Sequence, residues 1–246
     1  MKAKIKNILA VFSVNLPAII FTVWIAAYYW LLKGERYKAF MQPKLRPMLM
    51  LALLLLLIFV MALISQLSRN KKEPDITGAW LRAAILFVPA LFLWTVYGQS
   101  LGAHALSKKT FDADEIISLP QTPPEQLSIQ DSSVKSASLL DLLKNSDEFE
   151  GAHVATEGMV FRSNTIPENT FKIFRFVIIC CAADALPLWI LVNSEESQNL
   201  ENETWVKVEG KFKIKKINGR QIPNIDAEAV DPIPTPAPEK QYLFFY

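Results

Sequence analysis

Val206-Lys-Val-Glu-Gly-Lys-Phe212 and its earlier counterpart Val154-Ala-Thr-Glu-Gly-Met-Val160 decide how the second half of this chain folds. Each places Glu-Gly inside a run of strand-forming residues, and a glycine within a strand marks a bulge or a bend at a barrel corner. Outward from these two stretches, alternation and breaks at Gly, Asn and Pro place strands at about 153–163, 171–181, 186–193, 204–217 and 221–230. Asn218-Gly219, between the last two, is a type I′ hairpin signal. Five strands, with the polar segment Ser194 to Glu203 between the third and fourth, predict a small all-β, OB-like barrel within a C-terminal domain of residues 136–246. Ser136-Ala-Ser-Leu-Leu-Asp-Leu-Leu143 opens that domain as a short helix capped by Ser136 or Ser138, its leucines packing on the sheet.

Residues 107–135 are rich in Asp, Ser, Gln and Pro and include Leu119-Pro-Gln-Thr-Pro-Pro124, so they read as an extended linker. Before them the composition changes. A helix crosses a hydrocarbon core of about 30 Å with about 20 apolar residues, and stretches at about 8–32, 47–67 and 83–103 meet that length. The expectation for residues 1–106 is a membrane α-helical N-terminal region with three transmembrane helices. The first ends in Trp24, Tyr28, Tyr29 and Trp30, rings suited to the headgroup level. Its apolar core is too long for a signal peptide, and no small-x-small site precedes Lys33, so it reads as a retained helix. The second contains Leu51 to Val60 between Arg46 and Arg69, while the third carries Thr95, Gln99 and Ser100 in its second half. Asn15 suggests a helix contact but is expected rather to pair with carbonyls freed by Pro17 or to sit near the interface, and Pro89 to be a tolerated kink. No charged residue lies deep in a stretch, which argues against a pore formed by this chain alone.

The apolar fraction of 51% and mean hydropathy of +0.21 exceed ordinary soluble composition of about 45–50% apolar. Residues 1–106 carry 12 Lys+Arg against 3 Asp+Glu, a net +9, and residues 107–246 carry 14 against 21, a net −7. The overall +2 therefore hides a basic apolar half joined to an acidic polar half. A fully soluble enzyme, a disulfide scaffold and a generally basic nucleic-acid binder are excluded. Basic residues flanking the stretches divide seven to seven between the two sides, so orientation rests on Lys2, Lys4 and Lys6, which favour a cytoplasmic start. Three crossings then put the C-terminal domain outside the cytoplasm. Lys211, Lys213 and Lys215 beside Phe212 match the basic-aromatic interleaving of single-strand binders. They share one strand face in an acidic half tethered to a bilayer, so a solvated face is expected and no nucleic acid as partner.

Cys180 and Cys181, the only thiols, end the apolar run Phe174-Arg-Phe-Val-Ile-Ile-Cys-Cys181. Adjacent strand residues point to opposite faces, so one thiol should enter the core and one face out, which opposes chelation by both. A disulfide between neighbours is strained. Asp184, in the following turn, supplies a carboxylate that could join a thiolate at a soft or borderline metal, with His153 as a distant candidate. Structural thiols, a metal or ligand contact and redox chemistry all remain open for Cys180, Cys181 and Asp184. No CxxC, HExxH, GxSxG or phosphate-loop pattern supports an enzyme.

Arg175-Phe-Val-Ile-Ile-Cys-Cys-Ala-Ala-Asp-Ala185, Trp205-Val-Lys-Val-Glu-Gly210 and Pro223-Asn-Ile-Asp-Ala227, with the tail containing Tyr242, resemble the YcgQ-like family of bacterial membrane proteins. Weaker similarity reaches Tyr37-Lys-Ala-Phe-Met-Gln-Pro43 and Gln99-Ser-Leu-Gly-Ala103. The resemblance implies a multi-pass protein of the bacterial cell membrane with a C-terminal domain of unknown function, paired with a larger permease subunit. Some relatives carry His-rich sequence between the second and third spans; here Ser68 to Gly78 contains no His. The leading expectation is a noncatalytic accessory subunit or regulator of a permease or transporter. The alternative is a metal-binding or thiol-redox membrane protein using the Cys180-Cys181 pair.

Overall fold

A computed structural model describes residues 19–69, 76–99, 101–102, 105–106, 134–163, 166–195, 200–217 and 220–245. Asn15, Pro17, most of the 107–135 linker and the Asn218-Gly219 turn lie outside the described residues. The chain divides into two compact units, Met1–Gln99 and Ser100–Tyr246.

The first unit is helical: α1 (19–32), α2 (Arg46–Arg69) and α3 (Ile76–Val96). α2 is built from strong helix formers, and Pro47 sits in its first turn, where a missing N–H costs nothing. Phe21 of α1 meets Phe59 of α2 edge-on at 5.3 Å between ring centroids, and the Trp24 indole donates to the Leu86 carbonyl of α3 at 2.9 Å. Beyond such contacts α2 is bare. Pro43–Ala62 has a mean hydropathy of 2.5, and of its residues only Leu49 is buried, with Leu31 and Tyr37.

Of the three expected spans, the described residues bear out one by length and composition. Among the described residues, one helix is long and apolar enough to cross a membrane. Residues 8–18 of the first stretch lie outside the described residues, leaving a helix over 19–32. The third stretch is displaced: α3 runs Ile76–Val96 instead of 83–103, and the chain turns at Gly98 with φ +94°. Leu101, expected inside that span, packs instead in the second unit.

The second unit is the OB-like barrel. Its strands are β1 (Lys135–Ser136), β2 (His153–Phe161), β3 (Thr170–Ile178), β4 (Leu186–Asn193), β5 (Trp205–Ile217), β6 (Arg220–Pro232) and β7 (Leu243–Phe244). Five of them close in the order β2-β3-β4-β6-β5-β2, with β4 and β6 parallel and the other pairs antiparallel. Closure removes the unpaired edges that invite aggregation. Gly158 stands where β2, already paired with β5, begins pairing with β3 as well. At Gly210 the β5–β6 register shifts and Glu228 becomes the extra residue of a bulge. A Cβ at Gly210 would lie 2.3 Å from the Asp226 carbonyl oxygen, so the strands can approach this closely only at glycine.

Alternation then sorts the faces. Val154, Val160, Phe171, Ile173, Val208 and Phe212 point inward and are sealed from water. α4 (Leu139–Lys144) adds Leu139 and Leu142 to that core. It starts at Ser138, whose hydroxyl accepts from the Asp141 amide at 3.2 Å while the Asp141 carboxylate accepts from the Ser138 amide at 3.0 Å. A second apolar cluster lies outside the barrel, where Met159, Phe174, Phe176 and Trp205 are covered by Tyr242 and Phe244 of the tail and by Leu106. β7 holds that tail by pairing in parallel with β3 at Val177 and Ile178, beyond the stretch that β2 occupies.

Candidate functional site

The apolar run predicted as a strand to residue 181 stops at Ile178, and this corrects the thiol geometry. Cys180 and Cys181 lie in the turn between β3 and β4, Cys180 exposed and Cys181 half-buried, so neither enters the core. Asp184 ends the strand. Its carboxylate accepts backbone N–H groups from Ile179 at 3.2 Å, Cys180 at 2.9 Å and Cys181 at 3.3 Å. Those amides would otherwise seek a neighbouring strand, and the Asp184 amide closes the turn by donating to the Cys181 carbonyl at 3.1 Å. The result is a compact loop in which the Cys180 sulfur, the Cys181 sulfur and an Asp184 oxygen all lie within 4.8 Å of one another.

The electrostatics of the loop follow from that packing. The Asp184 carboxylate hydrogen-bonded to Cys180, with Cys181 alongside, pushes the Cys180 thiol up to about 11. Asp184 itself is held below the usual carboxylate range by the hydrogen bond with Cys180 and by the backbone amides of the turn. A protonated Cys180 is a poor nucleophile at neutral pH. The arrangement can hold a soft cation able to displace the thiol protons, and Asp184 keeps the loop in shape. His153 is not brought to it: its Nε2 faces Glu228 at 3.2 Å, at the start of β2.

The basic strand face is also resolved. Phe212 points into the barrel, so it is not available for stacking, and Lys213 and Lys215 converge on the Asp226 carboxylate at 2.7 and 3.0 Å. Asn193 joins them, donating to Asp226 at 2.8 Å and to the buried Asn224 side chain at 3.2 Å. Lys213 first, then Lys215 and Asn193, hold the Asp226 carboxyl well below its ordinary range. Sequence reasoning gave the lysines no partner, although Asn224 and Asp226 share one face of β6 by simple alternation.

Arg175 was also missed as a structural anchor. In strand alternation it falls with Phe171, Ile173 and Val177, yet its guanidinium donates to the carbonyls of Lys240 and Gln241, 3.3 Å to the latter, and lies 5.4 Å from the Trp205 ring. It is the cation that ties the tail to the barrel. A cation within the apolar run Ile173 to Ile179 was the available signal, since such a charge needs partners.

Fold and site together define a tail-covered OB-like barrel that presents a thiol-carboxylate turn. Residues 117–245 match the family described as the DUF1980 C-terminal domain, more than half of the chain, and the chain belongs to that family. Among solved structures, a small single-stranded DNA-binding protein from Streptomyces coelicolor is 15% identical with a TM-score of 0.24, covering 34% of this chain and 93% of its own. A protein from Leishmania major Friedlin assigned as an aspartyl-tRNA synthetase is 11% identical with a TM-score of 0.27, covering 46% of this chain. The match spans only 23% of that synthetase. No match to a curated protein was found.

Proposed function

We propose that this chain is a noncatalytic accessory subunit or regulator of a permease in a bacterial cell membrane. Its helices lie in lipid and against the larger subunit, and its barrel stands outside the cytoplasm. The observation that carries the reading is the bare apolar surface of α2, where Met48, Met50, Leu51, Leu54, Leu55 and Met61 are each more than half exposed. Contiguous apolar surface of that extent is rare on a soluble monomer and marks contact with lipid or another protein. The permease as partner and the orientation rest on the sequence resemblance and on Lys2, Lys4 and Lys6. Purification of the tagged chain in mild detergent should recover the permease, and deleting the chain should reduce transport. Isolation of the chain alone, with transport unchanged on deletion, would count against the reading.

A second reading is favoured by one specific observation, the convergence of Cys180, Cys181 and Asp184 within 4.8 Å. It takes the barrel as the metal-binding part of the protein, offering the ion at the β3–β4 turn. Stoichiometric metal on the purified full-length chain, lost with both cysteines, supports it.

A further inference from the structure

Resting on the metal-binding reading, we propose that the β3–β4 turn is a two-thiolate site for a soft monovalent cation of the copper(I) class, with Asp184 a positioning residue and not a ligand. Both oxygens of Asp184 are already engaged by three backbone N–H groups: Oδ1 accepts from Ile179 at 3.2 Å, Oδ2 from Cys180 at 2.9 Å, and the Cys181 N–H is shared between them at 3.3 and 3.4 Å. Coordinating an ion through either oxygen means giving up bonds that end β3 and shape the loop.

That leaves Cys180 and Cys181. Two ligands fall short of the three or four protein ligands that zinc takes, whereas two soft thiolate donors alone suit copper(I). With metal–sulfur bonds of about 2.3 Å, the length at zinc, two sulfurs on one ion stand at most about 4.6 Å apart. The two sulfurs lie within 4.8 Å of each other, close enough for both to reach one ion. Cys180 is exposed, which gives the ion a route in. Binding releases one proton from each thiol, two in all, and no electron is transferred. Asp184 keeps its negative charge beside the ion and its hydrogen bonds to the amides. Hydrogen-bonded groups behind the ligands typically contribute through orientation of those ligands.

The test uses the full-length chain in mild detergent, reduced and kept without oxygen, titrated with copper(I) against a chromophoric copper(I) chelator and in parallel with zinc. One copper(I) per chain is expected, with stoichiometric uptake abolished in Cys180→Ser and in Cys181→Ser. Asp184→Asn should weaken binding by only about 10- to 100-fold, as for an outer partner of the ligands. X-ray absorption should give two sulfur neighbours and no oxygen or nitrogen. An oxygen or nitrogen neighbour that disappears in Asp184→Asn, or zinc held as tightly as copper(I), overturns this inference and leaves the metal-binding reading standing. Absence of stoichiometric uptake of either metal overturns both.

Discussion

Phe212 in β5 and Leu55 in α2 are both large apolar residues on regular elements, yet Phe212 is fully buried and Leu55 is 57% exposed. In the barrel each inward residue alternates with an outward polar one, as Phe212 does with Lys211 and Lys213, so water alone dictates which side faces in. In α2, Leu51 to Val60 is apolar all round, and Leu51, Leu54, Leu55, Ile58 and Phe59 are each more than half exposed. A helix of that kind is stable only where the surrounding medium is itself apolar or a partner covers it. The difference teaches that one polypeptide carries two solvation rules: core formation within the barrel and, as proposed, lipid around α2.

The sharpest way to break this contrast is a matched pair of truncations. Phe212→Ala should cost the barrel about 3–5 kcal/mol by opening a cavity. Leu55→Ala, at an exposed position, should stay within about 0.5 kcal/mol. Urea midpoints of the detergent-solubilised chain, followed by hydrogen exchange at β2 and β5 for the first and at α2 for the second, measure both. Equal costs would erase the distinction.

A smaller effect is expected at the bulge. Gly210→Ala must push its Cβ away from the Asp226 carbonyl oxygen, 2.3 Å from the ideal position, and from the Ala227 Cα at 2.7 Å. Because both obstacles are backbone, the strands have to part, at a cost of about 1–3 kcal/mol. Exchange should quicken on β5 and β6 while α2 is unchanged. Unaltered β5–β6 protection would show that the close approach is not needed.

Much of the barrel was legible before the structure because its long strands alternate and its glycines punctuate them. β4 matches its expected bounds, and Glu209-Gly210 marks the bulge it suggested. β1 and β7 were not legible, since a two-residue strand has no period to read. The end of β3 was misplaced for a different reason: Ile178-Ile179-Cys180-Cys181 continues the apolar run, and the group that stops the strand, Asp184, lies beyond it and acts by capturing amides. Alternation therefore separated two thiols that the turn brings together. The lysine face was placed correctly on β5 but without Asp226, because strand pairing, not sequence proximity, supplies that partner.

Asp226 sharpens the polar side of the comparison. Its folded-state carboxyl is depressed by Lys213 and Lys215, so its contribution is fully present above the unfolded value of about 3.9 and is lost as pH falls through the folded one. The lysines and the carboxylate are partly exposed, which limits the bridge to about 1 kcal/mol or less. Asp226→Asn should lower barrel stability slightly at neutral pH and flatten its acid-side decline. An acid profile identical to that of the parent chain would remove Asp226 from the explanation.

The finest adjustment is at Thr156, whose hydroxyl is buried in the barrel with no hydrogen-bond partner among the described residues. Thr156→Val keeps the shape and removes the unpaired group, so stability should rise by about 1 kcal/mol. A loss of stability, seen as a lower urea midpoint, would mean the hydroxyl is satisfied by water.

Extraction of native membranes with alkaline sodium carbonate most directly tests whether α2 is solvated by lipid. The full-length chain should stay in the membrane pellet, and a variant with two arginines, Leu54→Arg with Ile58→Arg, should shift toward the supernatant. Release of the unaltered chain into the carbonate wash would contradict the proposal at its root.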